Sequence, residues 1–102
     1  MSTLSNDEIL VINNLSKSFP AISLDDPKPL ALGVRSIIRK SAPHGLRNMI
    51  DSVSWHYVRS IPYLKSFLHY EHRYNLDGSI SEPVSAEHRQ FAIDLLISLS
   101  NS

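Results

Sequence analysis

Between Arg59 and Gly78 lies the densest set of side chains able to do chemistry. Arg59, Lys65 and Arg73 are cationic, Tyr63, Tyr70 and Tyr74 carry hydroxyls on rings, and His69 and His72 flank Glu71. Their spacing favours the recognition of phosphate. Ser60 fits an N-cap, since its hydroxyl can accept from the free amides of the next turn. Ile61 and Pro62 then open a helix, where proline is tolerated because its missing N–H would be unpaired anyway. A helix N-terminus flanked by Arg59, with Lys65 one turn on and Arg73 on a nearby strand, suits an anion.

Other chemistries fare worse on the same residues. His69, Glu71 and His72 could stand together at a helix end, but zinc needs three or four converging ligands with support behind them, and the spacing matches no usual pattern. His44, His56 and His88 are scattered. Hydrolysis needs a nucleophile, a base and an orienting group, and no serine sits in such a context. A ribonuclease with His69 or His72 as base and Arg73 as phosphate clamp rests on residue type alone. No enzyme activity, metal, cofactor or small-molecule substrate is expected.

The 102 residues suffice for one domain, 1–102, with a core over about 7–95; 42 % hydrophobic and 20 % charged residues are ordinary globular values. Cysteine is absent, which excludes disulfides, thiol nucleophiles and thiolate-bound zinc. No apolar run approaches a membrane span and Met1-Ser2-Thr3 lacks a signal peptide's basic start, so a cytoplasmic, monomeric protein is expected. Formal net charge is zero, yet its distribution is uneven. Residues 1–27 and 74–102 each carry −3. Residues 28–73 set Lys28, Arg35, Arg39, Lys40, Arg47, Arg59, Lys65 and Arg73 against only Asp51 and Glu71, a net +6. A local field of that sign steers a polyanion. Charges spread over several solvated faces are the alternative.

The elements that must position these residues follow from periodicity. Ser5 and Glu8 form a capping box before a helix over about Asn6–Ser18, ended by Phe19-Pro20. Leu30, Val34, Ile37 and Ile38 fit one face of a second helix, leaving Arg35, Arg39 and Lys40 outside. Gly33 inside that pattern suggests close packing or backbone approach by a ligand. Leu46, Met49, Ile50, Val53 and Tyr57 give an amphipathic third helix; Trp55 falls off its stripe, either capping the core edge or offering a surface to a base. Tyr63, Leu64, Phe67 and Leu68 mark the fourth. A strand over His72–Leu76 closes at the two-residue turn Asp77-Gly78 and returns over Ser79–Glu82. Ser85 caps a last helix with Phe91, Leu95 and Leu99 as its stripe, widened by Ala92 and Leu96 and interrupted at His88. The sum is a mostly α (α+β) fold of about five helices with one small β-hairpin.

The run Y-x5-Y-L-x8-R-x-N/D-L-D-G, here Tyr57, Tyr63-Leu64, Arg73 and Asn75-Leu76-Asp77-Gly78, resembles the core of the ProQ/FinO family of bacterial RNA-binding proteins and RNA chaperones. Phe19-Pro20 and Pro29-Leu30-Ala31-Leu32-Gly33-Val34 resemble its F-P…P-L-x-I-G-I segment, and Val84-Ser85 with Ala92 fits its last helix. The resemblance covers about residues 7–95.

That likeness implies binding of structured RNA, in particular terminator-like hairpins with a short single-stranded 3′ tail, in small-RNA or antisense regulation. A-form RNA hides its base edges, so such proteins grip phosphates, 2′-hydroxyls and exposed ends. It places Tyr63 and Arg73 beside a pocket for the 3′ end, and Ser60, Ile61 and Pro62 at a backbone phosphate. Lys28 and Arg47 stand where relatives often have basic residues. Asp51, where some relatives have arginine, and Ala31, where lysine is frequent, are departures that bear on affinity. Arg73 is expected either to pair with a carboxylate such as Asp77 or to stand open for phosphate. The Tyr63 ring would line the core edge with its hydroxyl toward ligand, so that changes at either residue separate binding from folding. The rival reading is a helical protein–protein interaction module without RNA binding, with Trp55, Tyr70 and Tyr74 as an apolar patch.

Overall fold

A computed structural model describes residues 4–42, 45 and 47–100. Ser5 caps α1 (Asn6–Ser18) as a full capping box: its hydroxyl accepts from the Glu8 amide at 3.2 Å, and the Glu8 carboxylate accepts from the Ser5 amide at 2.9 Å. The helix then turns Ile12 wholly inward. Glu8 also meets His56 Nδ1 of α3 (Arg47–Tyr57), which joins the start of one helix to the end of another. The expected start of α3 at Leu46 lies outside the described residues, as do Pro43, His44 and the chain ends. Ile50, Val53 and Tyr57 of its stripe are buried, whereas Met49 is exposed.

Tyr57 shows why a buried polar group needs partners. Its hydroxyl donates to the Ser23 carbonyl at 2.8 Å and accepts from the Ser23 amide at 3.0 Å, which ties the loop after α1 to α3. Desolvation pushes this phenol up to about 12, so the donor is retained through any ordinary pH.

The second helix is shorter than its periodicity suggests. α2 spans Val34–Ser41, and Gly33 is its N-cap at φ +85°, not an interior residue. A Cβ at Gly33 would meet nothing within 4 Å, so the glycine is there for its left-handed backbone and not for close packing. Leu30 leaves the helical stripe because its backbone is used elsewhere. It forms an isolated parallel bridge with Tyr74: Tyr74 N donates to Pro29 O at 2.7 Å, and Ala31 N to Tyr74 O at 2.8 Å. Val34 and Ile38 face the core, while Ile37 is exposed.

Strand β1 is limited to His72–Tyr74 and pairs antiparallel with β2 (Ile80–Pro83), His72 opposite Pro83 and Tyr74 opposite Ile80, with an irregularity between. Leu76, expected within the strand, lies instead in the loop that follows, with its side chain buried. Asn75 N donates to Ser79 O at 2.8 Å and Gly78 N to Asn75 O at 2.9 Å, so the loop holds three residues, Leu76 to Gly78, and not the two expected. Gly78 takes φ +92°, the left-handed position that ends such a loop.

α4 (Ile61–His69) packs on α5 (Ala86–Ser100). Apolar residues encircle much of α5, so spacing alone does not choose its inner face. The small Ala92 is buried and lets α4 approach, with Leu95, Leu96 and Leu99 packed beside it. Phe91, expected to head the stripe, is instead 68 % exposed. Arg89 fastens the pair by donating to the carbonyls of Phe67, in the last turn of α4, and of Tyr70, its C-cap. Among the described residues no helix is long and apolar enough to cross a membrane.

Candidate functional site

The strand β1 and the helix α4 reach the same residue from two sides. Tyr63, on the first turn of α4, accepts at its hydroxyl from the Leu30 amide at 3.1 Å. Arg73, the middle residue of β1, donates from one guanidinium nitrogen to the Leu30 carbonyl at 2.8 Å. Tyr63 is 5 % exposed, and burial raises its phenol's pKa. Its ring packs on Tyr57 and Phe67 at 5.4 and 5.5 Å. The hydroxyl expected to face ligand is therefore turned to the backbone, because Leu30 N–H needs an acceptor there.

Arg73 is 7 % exposed, a buried cation. Its second nitrogen lies 2.8 Å from His88 Nδ1, and its guanidinium stands over the Phe67 ring at 5.3 Å. Guanidinium can only donate, so His88 accepts at Nδ1 and carries its proton on Nε2. Among the described residues no carboxylate forms an ion pair with Arg73, and Asp77 instead accepts from Ser79. The Arg73 charge is thus hydrogen-bonded but not neutralised. It forms one wall of an open cleft between α4 and α5, with Arg59, Tyr63, Leu64, Phe67 and His88 around it and the exposed Phe91 at its edge. An uncompensated guanidinium in a low-polarity wall is chemically suited to hold an anion.

Ser60 precedes α4 as its N-cap but does not cap it with its side chain. The hydroxyl is buried and donates backward to the Tyr57 carbonyl at 2.7 Å, closing the α3–α4 corner. The first amides of α4 at Ile61 and Tyr63 consequently have no side-chain cap; Pro62 between them has no N–H to offer.

The remaining basic residues divide into two groups. Arg35 and Arg39 on α2 both address Asp51 on α3, Arg39 Nε at 3.2 Å and Arg35 Nε at 3.9 Å. Two charges against one leave that face positive. Arg47 begins the same face of α3, and its Nε is buried with no hydrogen-bond partner among the described residues. Lys28 and Lys65 lie elsewhere. Lys28 pairs with Asp26 at 3.3 Å and stands over the Tyr70 and Tyr74 rings. Lys65 shares a cleft with Asp25, Asp26 and Tyr70, where Tyr70 donates to Asp26 at 2.7 Å. These acids make the Lys28–Lys65 side a poorer anion site than the Arg73 side.

Arg59 therefore joins Arg73 and Tyr63, as the spacing suggested, while Lys65 does not. His88 and Phe91 are additions. The break in the α5 stripe at His88 was their only sequence signal, because the residues of α5 that face the cleft depend on how α4 packs. Trp55 is not a core-edge cap: it is 48 % exposed, with the Arg59 guanidinium over its ring at 4.0 Å. Among the described residues no three His, Cys, Asp or Glu side chains converge to hold a metal ion.

A model of the ProQ/FINO family matches residues 6–100 of the chain. No curated protein matches. Among solved structures, the chain is similar to the crystal structure of a FinO-like RNA chaperone from Neisseria meningitidis MC58. The TM-score is 0.69 and the identity 21 %, over 84 % of this chain and 89 % of that one. The fold is shared.

Proposed function

The chain belongs to the ProQ/FINO family, and on that premise we propose that it is an RNA-binding protein acting as an RNA chaperone. Its targets on this reading are structured RNAs, hairpins of terminator type with a short single-stranded 3′ tail, in small-RNA or antisense regulation. The observation that carries the reading is Arg73: a guanidinium in a cleft wall, held by the Leu30 carbonyl and His88, with its charge unopposed. Tyr63 holds the other end of Leu30, Arg59 adds a second cation, and the uncapped start of α4 offers backbone amides. Arg35, Arg39 and Arg47 extend the positive surface over α2 and α3. The likeness to a FinO-like RNA chaperone agrees with binding in preference to catalysis.

Binding of a synthetic terminator hairpin tests this. With several arginines at phosphates, affinity should fall steeply between low and moderate salt, with a logarithmic slope near −3 for about four contacts. Shortening the 3′ tail or phosphorylating its terminal hydroxyl should weaken it further, whereas loop changes should not. Salt-insensitive binding, or equal affinity for duplex DNA of the same sequence, removes RNA from the reading. Undiminished affinity for a blunt or blocked hairpin removes the 3′ end from the cleft.

A further inference from the structure

Trp55 is the only tryptophan of the chain, and it stands at the surface. Arg59, one turn on, lays its guanidinium over the indole at 4.0 Å and donates from Nη1 to the Trp55 carbonyl at 3.1 Å. That second bond holds the guanidinium in place, so the pair is built before any ligand arrives. His56 meets the indole edge-on at 5.2 Å. The pair rims an apolar cleft between α1, α2 and α3, floored by Ile12, Val34 and Val53, with Arg35 on the α2 side. Arg59 also lines the Arg73 cleft, so the two clefts adjoin and share one wall.

We propose that the Trp55–Arg59 pair is a stacking platform for an unpaired nucleobase of the bound RNA, with Arg35 taking a phosphate of the same strand. This rests on the RNA-binding reading and adds a second contact to it. Aromatic and guanidinium planes are what bases stack on, in any sequence, and cations on either side match a charged backbone. An apolar protein partner fits worse. Seated on Trp55 it would cover the arginines at both flanks and strip their water without supplying an opposite charge. A single strand leaving the Arg73 cleft crosses Arg59 and arrives at Trp55, which makes one continuous path of two clefts.

The lone tryptophan reports on its own site. The full chain is titrated with a hairpin bearing a single-stranded tail and with the same hairpin made blunt, while Trp55 emission and affinity are followed. Emission should be quenched by the tailed RNA and little changed by the blunt one. Trp55→Leu should weaken tailed-RNA binding about tenfold, Trp55→Phe should keep most of it, and neither should change blunt-hairpin binding more than about twofold. Unchanged emission at RNA saturation overturns the platform whatever the variants do, and so does quenching that is equal for the blunt hairpin. A Trp55→Leu protein that is folded and binds the tailed RNA like the parent also overturns it. A concentration-dependent blue shift without RNA assigns the face to a protein partner and ends the proposal. If the parent binds neither RNA, the RNA-binding reading itself fails, a result distinct from each of these.

Discussion

Tyr63 and Arg73 hold opposite ends of one peptide unit's residue: the phenol accepts from the Leu30 amide and the guanidinium donates to the Leu30 carbonyl. The two side chains come from a helix and a strand, and the segment they grip contributes no regular element of its own. A site built this way is part of the core on one side and open to solvent on the other. Changes at it should therefore register in both binding and stability.

Tyr63→Phe removes the acceptor for a buried amide, so the domain should lose about 1–3 kcal/mol of stability. Leu64→Ala, a cavity beside it, should lose about 2–5 kcal/mol. Chemical denaturation of the two variants separates the effects. A Tyr63→Phe protein as stable as the parent would show that the Leu30 amide finds water instead.

Arg73→Ala should reduce hairpin affinity by about ten- to a hundredfold, the worth of a charge-assisted contact. It should also destabilise, because the Leu30 carbonyl is left without its donor. Arg73→Lys keeps the charge, but an ammonium cannot span Leu30 O and His88 as the planar fork does. It should recover part of the affinity and little of the stability. Binding measured well below each variant's melting temperature checks this; full binding by Arg73→Ala would remove the residue from the site.

Asp51→Asn should bind RNA more tightly than the parent, by about threefold or more at low salt, since Arg35 and Arg39 lose their competing partner. Arg35 and Arg39 are exposed and Asp51 is half-buried, so stability should change by about 1 kcal/mol at most. A weaker-binding Asp51→Asn protein would mean that Asp51 aims the arginines instead of restraining them.

Glu8 carries part of the acid dependence. The Ser5 amide, and after it His56, hold its carboxyl below its ordinary value of 4.5. A depressed folded value means that the stabilisation is complete above 4.5 and is lost as pH falls through the folded value. Urea midpoints should drop as pH is lowered from 5 toward 3, and Glu8→Gln should flatten that drop. Parallel curves for parent and variant would refute the assignment; Asp26 and Asp77, also depressed, contribute equally to both proteins.

Much of this fold was legible in the chain. The capping box at Ser5, the proline-opened α4 and the turn glycine at Gly78 are local signals, and the two helix starts and the glycine stand where their residues placed them. Two of the misreadings share one cause, a partner distant in sequence. Leu30 sits in a helical pattern, but a strand that arrives much later takes its backbone. Phe91 heads a correct stripe on a helix whose inner face is chosen by the bulk of α4, which favours Ala92. Ser60 looks like a capping hydroxyl and instead turns back to Tyr57. For the cleft, residue types located Arg59, Tyr63 and Arg73. Lys65 looked equivalent, yet at its position along α4 it emerges beside Asp25 and Asp26.

The Leu30 junction also sets an order of assembly. Its two side-chain partners lie 33 and 43 residues further along the chain. A polypeptide emerging from the ribosome can wind α1 and cap it with Ser5 at once, since those contacts are only three residues apart. Leu30 must wait until β1 has been synthesised, and until then its amide and carbonyl are served by water. Contacts between residues so far apart form after the local ones of a helix, because their loop-closure entropy must be met before they stabilise anything. The cleft is therefore among the last parts of the molecule to mature: a chain that ends before β1 carries α1 to α4 but lacks Arg73 and its partner His88.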